Sequence, residues 1–380
     1  MIRERLTILA PTRYPWRFNG PRHSRHYIIN RNFLPFNRIS AGLEGITIIN
    51  PFPPRSLDLV HAFNRIPIGR TPYLIGFESH LPRAFGPSHT AYFRALTRSL
   101  ASERCRGIFA ISQYARRIFL RMHETSSLQD DLAAKLTVRY PNVPIAAGQL
   151  DLFERERAAE PVRLLFVGSH FARKGGLVAI RLAELASGRG IPLRIEIVSD
   201  LTMGSGVWTD PLRDGYFEDW RRRLGHPSIN LHNALPNEEV INLLKQCHFS
   251  LLPTFCDTFG YSAIESMANF APVIATAQGA LPEFIQDGVN GFLLPLQTND
   301  LGEWVHSSSA DRGTARFEQL FTAEIDRLAE LTLDRIESVS SSEQLRRMRR
   351  AARDTACRMF NSRDADQFWD ATYERLTRSS

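Results

Sequence analysis

Short β-rich runs and amphipathic helical stretches alternate along this chain, stop, and then start again. In residues 1–150 the candidate strands are RLTILA, GITIIN, LDLVHAF, PYLIGF, GIFAIS and LTVRYP, with helical patterns at about Thr90–Ser102 and Gln113–His123. A polar, charged stretch from Gly148 to Pro161 breaks the series and reads as a linker. Beyond it come VRLLFVG, a helix from Gly176 to about Ser187, PLRIEIVS, NLHNAL, a helix from Asn237 to Gln246, FSLLP, a helix around Glu265, and PVIAT. Alternation of this kind argues for βαβ units, hence parallel sheets covered by helices on both faces. Two starts of one pattern predict two similar α/β domains, residues 1–155 and 156–360. Ligands of such sheets lie beyond the carboxyl ends of the strands, which puts the expected site in a cleft between the two. The tail from Phe317 is helical in pattern, and residues 361–380 carry Phe368, Trp369, Tyr373 and Leu376 to pack on an existing surface. Asn299–Phe321 is polar and is expected to be a mobile insertion.

Composition narrows the class. A chain of 380 residues with 43% apolar and 23% charged content is globular and suits two domains. No apolar run reaches the roughly 18–20 residues of a spanning helix, and the N-terminal apolar run, about five residues, is too short for a signal peptide. Cys105, Cys247, Cys256 and Cys357 are scattered without metal-ligand spacing, as for reduced thiols in a cytoplasmic protein. The triplet Asp364-Ala365-Asp366 opens the terminal helix, where acids are ordinary first-turn residues, so neither a metal nor a cofactor is expected. No GxxxxGK[ST] loop and no GxSxG elbow is present. The charge is lopsided: residues 1–150 hold 21 Lys and Arg against 8 Asp and Glu, while the remainder holds 26 against 32. A basic half attracts an anionic acceptor or the anionic inner face of a membrane. The plainer reading of Arg94, Arg98, Arg104, Arg106, Arg116, Arg117 and Arg121 is solvated surface charge. No nucleic-acid-binding motif accompanies them, and nucleic acid is not an expected partner.

Two loops carry chemistry. Gly168 to Gly176, GSHFARKGG, follows a strand and precedes a helix, and it brings Arg173 and Lys174 to the helix mouth. Cations beside helix-terminal N–H groups stabilise the charge that builds on a departing diphosphate. The second loop lies within Leu251–Pro295, where an apolar run ends in a loop containing Asp257 and Phe259-Gly260 opens a helix containing Glu265. Gly260, Tyr261 and Ser262 would offer backbone N–H groups to phosphates. The two acids can accept hydrogen bonds from sugar hydroxyls on either side. A nucleotide-sugar has that order of groups: hexose, diphosphate, ribose.

The pattern acid-x-Phe-Gly, four residues, Glu, then Pro-Val-Ile-Ala-Thr, Gly, Pro-Glu and Asp-Gly-x-Asn-Gly resembles the donor signature of the family 4 retaining glycosyltransferases. LLFVGSHFARKGG continues the likeness upstream, and DLVHAF, GFESHLP, IFAISQYARR and KLTVRYPNVPI follow the family's segment order. The resemblance implies the GT-B fold: two facing Rossmann-like domains with the terminal helix crossing back to the first. It implies metal-independent transfer of a hexose, with retention, from a nucleoside-diphosphate sugar to a polysaccharide, lipopolysaccharide or lipid-linked acceptor. Catalysis then falls to Asp257, Lys174 and Arg173, and donor binding to Glu265, Gly260, Tyr261, Ser262, Gly168, Ser169 and Ser199. Gly20, Glu78 and His80 are the acceptor-side candidates. Asp257 stands where the family usually has Glu, and Ser169 where it has Arg. These departures keep open a degenerate transferase fold that only binds nucleotide-sugar or glycan as a partner subunit. A sugar-nucleotide epimerase on a related scaffold is a further alternative.

Overall fold

The computed structural model describes residues 5–12, 15–38, 43–48, 57–84, 90–145, 161–213, 215–339 and 341–378. The expected linker, Gly148–Pro161, lies almost wholly outside them. The chain divides into two compact units: Met1–Pro144 with Met359–Ser380, and Ile145–Arg358.

The first unit contains β1 (Thr7–Pro11), α1 (Trp16–Asn19), β2 (Tyr27–Arg31), β3 (Leu34–Pro35), β4 (Ile46–Ile48), β5 (Leu59–Phe63), β6 (Ile66–Pro67) and β7 (Tyr73–Phe77). It continues with α2 (Ala91–Ala101), β8 (Cys105–Ala110), α3 (Gln113–Met122), α4 (Gln129–Lys135) and β9 (Leu136–Val138). Its main sheet runs β2-β1-β5-β7-β8-β9, parallel throughout. Ile8, Leu9 and Ala10 of β1 and Tyr73, Leu74 and Ile75 of β7 are all fully buried, as strands covered on both faces must be. GITIIN contributes β4, but to a separate small sheet, β3-β4-β6. The edge strand β2 is absent from the sequence expectation because its burial is only partial and its flanks are polar.

The second unit holds β10 (Val162–Val167), α5 (Gly176–Gly188), β11 (Leu193–Val198), α6 (Tyr216–Arg223), β12 (Ile229–His232), α7 (Asn237–Gln246) and β13 (Phe249–Leu252). Then follow α8 (Tyr261–Ala268), β14 (Val273–Thr276), β15 (Gly291–Leu294), α9 (Ala315–Glu337) and α10 (Ser342–Phe360). The sheet order is β12-β11-β10-β13-β14-β15, again all parallel. Strand order therefore reverses between β10 and β13, and ligands of open α/β sheets bind beyond the carboxyl ends at such a point. One core joins α5 and α9 to this sheet through Leu177, Ile180, Phe321, Ile325 and Leu328.

Asn299–Phe321, expected as a mobile insertion, is anchored near both ends, by Trp304 and by Phe317 and Phe321, all buried. Trp304 is buried and packs its ring 4.9 Å from Phe255 and 5.9 Å from Phe321.

The last helix, α11 (Ser362–Arg378), belongs to the first unit. Ala365, Trp369, Tyr373 and Leu376 line one of its faces and pack against Ile8, Leu59, Leu74 and Phe109 of the sheet. The apolar spacing read from the sequence is that face.

Candidate active site

Four turns meet at the carboxyl ends of β10, β11, β13 and β14, and glycines let them approach. Gly175 caps α5 with φ +91°, and a Cβ there would lie 2.3 Å from the Pro253 carbonyl oxygen at the end of β13. Gly279, after β14, has φ +57°, and a Cβ there would lie 2.3 Å from the Asp257 carbonyl oxygen. Both positions exclude side chains by backbone conformation and by contact. The main chain then ties the turns together: Phe255 N–H and the Thr254 hydroxyl both donate to the Arg173 carbonyl, at 2.9 and 3.0 Å.

Arg173, Lys174 and Asp257 converge on this junction. The Lys174 ammonium donates to Asp257 Oδ2. Asp257 is 7% exposed. Burial pushes its carboxyl pKa up, but Lys174, Arg173 and the Phe259 N–H outweigh burial and hold it below the usual aspartate value. Its backbone N–H donates to Gln278 Oε1 at 3.3 Å. Arg173 donates from Nη1 to the Cys256 carbonyl (2.5 Å) and from Nε to His170 Nδ1 (3.2 Å). Burial, with the two cations adding to it, lowers the His170 pKa. The ring is therefore a neutral acceptor at physiological pH.

The donor-side residues divide. Gly168 and Ser169 sit at the end of β10, and the Ser169 hydroxyl donates to Asp200 Oδ2 at 3.0 Å. Ser199 itself is buried, and its hydroxyl accepts from Leu201 N–H at 3.0 Å. It shapes the turn, while Asp200 is the side chain reaching Ser169. Gly260, with φ +85°, caps α8, so Tyr261 and Ser262 form the helix's first turn at the strand ends. Glu265 lies one turn on, and its Oε1 accepts from Asn237 Nδ2 at 3.4 Å.

The acceptor-side candidates all belong to the first unit. Gly20 packs so closely on Trp16 that a Cβ would lie 2.5 Å from the indole. The turn after it is clamped by α11: Asp366 Oδ1 accepts from Arg22 N–H (2.6 Å) and His23 N–H (3.0 Å), and Asp370 accepts from Ser24 and Arg25. Two acids of the terminal helix are thereby put to structural use. Glu78, beyond β7, accepts from Asn64 Nδ2 at 3.0 Å and faces Arg83 at 3.4 Å. His80 follows two residues later, on the turn that leaves the same strand.

Sequence reasoning missed Gln278 and Trp208. Gly175 and Gly279 stood in the motifs, but only the fold reveals the backbone each one meets. Trp208 lies 35 residues from Arg173 and nevertheless holds its ring over that guanidinium at 4.7 Å.

Crystal structures share this architecture. A glycosyltransferase from Rickettsia africae aligns with TM-score 0.60 at 14% identity, covering 100% of both chains. Anabaena HepE in complex with UDP aligns with TM-score 0.58 at 13% identity, over 97% of this chain and 100% of that one. The fold is that of the GT-B glycosyltransferases.

The sequence comparisons are local and more specific. Residues 161–307 match the family model described as glycosyl transferases group 1. An uncharacterized glycosyltransferase of Methanocaldococcus jannaschii is 31% identical over 118 residues, 30% of this chain and 33% of the relative. The chain thus spans about a third of that relative's length. Over residues 161–307 the chain is thus similar to the group 1 glycosyltransferases, in agreement with the resemblance carried by Leu164–Pro295.

Proposed function

We propose that this protein is a metal-independent, retaining glycosyltransferase, of the family 4 type, that moves a hexose from a nucleoside-diphosphate sugar to a polysaccharide, lipopolysaccharide or lipid-linked acceptor. One observation carries the reading: Arg173, Lys174 and Asp257 converge where the strand order reverses, beside the α8 N-terminus. The diphosphate lies against that helix end and the two cations, Glu265 holds the ribose, and Asp257 holds the hexose. The bond from the sugar's anomeric carbon to the diphosphate breaks as the acceptor oxygen bonds that carbon on the same face. The departing phosphate oxygen takes the acceptor proton. Arg173 and Lys174 stabilise the charge left on the diphosphate.

At rest Lys174 is neutralised by Asp257, so the donor's diphosphate competes with a carboxylate for the ammonium. That pairing also suits the second reading, a transferase fold that binds nucleotide-sugar without turning it over. The basic first unit, with Gly20, Glu78 and His80, takes the acceptor. A lipid-linked one would bring it to the cytoplasmic face of an anionic membrane. Among the described residues no helix is long and apolar enough to cross a membrane.

Thermal-shift titration with UDP-, GDP- and ADP-hexoses tests the donor. A true donor raises the melting temperature by mass action, and hexose release or transfer from that donor separates an enzyme from a binder. Lack of any shift with all three would defeat both readings.

A further inference from the structure

Between β11 and α6 a turn holds one aromatic side chain outward among buried neighbours. Val207 is 1% exposed and Thr209 and Asp210 are fully buried, yet Trp208 is 44% exposed. Its ring covers one face of Arg173 and stands edge-on to His170, with centroids 6.1 Å apart. Trp208 thus packs on Arg173 and on His170, one of the two groups that Arg173 itself bonds. With Nε and Nη1 committed to His170 and Cys256 and one face under the indole, only the Nη2 edge of Arg173 lacks an acceptor among the described residues.

The turn is held from outside. Arg312, in the segment before α9, donates from Nε to the Asp210 carbonyl (2.7 Å) and from Nη2 to the Val207 carbonyl, the two residues that bracket Trp208-Thr209. Its own carbonyl accepts from Leu212 N–H at 2.9 Å. Inside the turn the Asp210 carboxylate accepts from Gly204 N–H and the Thr209 hydroxyl. A chain of contacts therefore runs from Arg312, through the Val207–Asp210 backbone, to Trp208 and on to Arg173.

We propose that Trp208 is a positioning residue of the donor site, held by Arg312, which fixes Arg173 with its free edge toward the diphosphate, and that bound nucleotide covers the exposed indole. The inference rests on the donor-site reading above. A guanidinium clamped by an aromatic face and two acceptors loses little further freedom when it binds an anion.

Acrylamide quenching of tryptophan fluorescence tests it. Trp16, Trp220, Trp304 and Trp369 are 8%, 4%, 2% and 3% exposed, so quenching at low acrylamide reports on Trp208. UDP, GDP and ADP are titrated with a parallel melting curve. A nucleotide that raises the melting temperature is expected to reduce the quenching constant at least about twofold, and Trp208→Phe is expected to abolish that change while keeping the shift. In transfer assays Trp208→Ala and Arg312→Met should each lower kcat about tenfold, the double variant no further, and Trp208→Phe should restore most of the rate. A nucleotide that stabilises the protein but leaves quenching unchanged, or additive effects of the two substitutions, would overturn the inference while the donor reading stands. Absence of nucleotide binding in wild type and Trp208→Phe alike would overturn both.

Discussion

His61 in the first unit and Asp257 in the second are both buried ionisable groups on parallel sheets, and they meet burial in opposite ways. His61, on β5, is fully buried between Trp16 and Trp369, with ring centroids at 4.7 and 4.4 Å, and is hydrogen-bonded to Tyr373 at 2.8 Å. Burial drives its pKa down to about 3, so it gives up its charge and serves as packing. Asp257 keeps its charge because Lys174 and Arg173 stand beside it. A buried ion pair is a poor device for stability alone. Its presence at a strand-order reversal supports the proposal that the second unit handles a charged substrate.

The largest effect expected from this contrast is on activity. Lys174→Ala should lower transfer by about 10²–10³-fold, the usual cost of removing one donor to developing negative charge. A rate within threefold of wild type would end the assignment. Gly175→Ala comes next, combining a left-handed backbone with a Cβ driven into the Pro253 carbonyl. It should cost more than about 2 kcal/mol in chemical denaturation.

The third test reads the titrations. The folded pKa of His61 lies below the unfolded value, so the unfolded state takes the proton first and stability falls as pH drops from 6.5 toward 3. Wild type should lose about 1.4 kcal/mol per pH unit in that window through this group, and His61→Gln should lack that slope. For Asp257 the folded pKa lies below its unfolded value, so its contribution is present above the unfolded pKa and is lost only as pH falls through the lower folded one. Equal acid slopes in wild type and His61→Gln would erase the contrast. The smallest effect belongs to Asp366→Asn. Weakening the two bonds to Arg22 and His23 should cost about 1 kcal/mol and leave any nucleotide-induced melting shift unchanged, because the clamp lies wholly in the first unit.

Much of the architecture was legible in the chain. The predicted helix Asn237–Gln246 is α7, residue for residue, because its apolar spacing and first-turn acids are local signals. The expected strand LDLVHAF is β5, and PVIAT is β14. β2 was not legible, since an exposed edge strand carries little periodicity. α6 was missed for a different reason: its mostly charged sequence buries only Phe217 and Trp220. Of the site, Arg173, Lys174 and Asp257 were readable from motif and charge. Ser199 or Asp200 was expected near the donor; the fold buries Ser199 and leaves Asp200 to meet Ser169, a choice that residue type does not reveal.

By itself the sequence determined that two parallel α/β units would form, where most of the central strands would lie, and which charges would follow β10 and β13. Those properties follow from side-chain periodicity and turn chemistry, which act over a few residues. Only the tertiary structure decided that one sheet reverses between its first and third strands and the other between its first and fourth. It alone laid Trp208 on Arg173 and Arg312 on the Val207 carbonyl, 105 residues away. Such contacts depend on which elements become neighbours, a choice made by burial of whole faces and invisible in any short window of sequence.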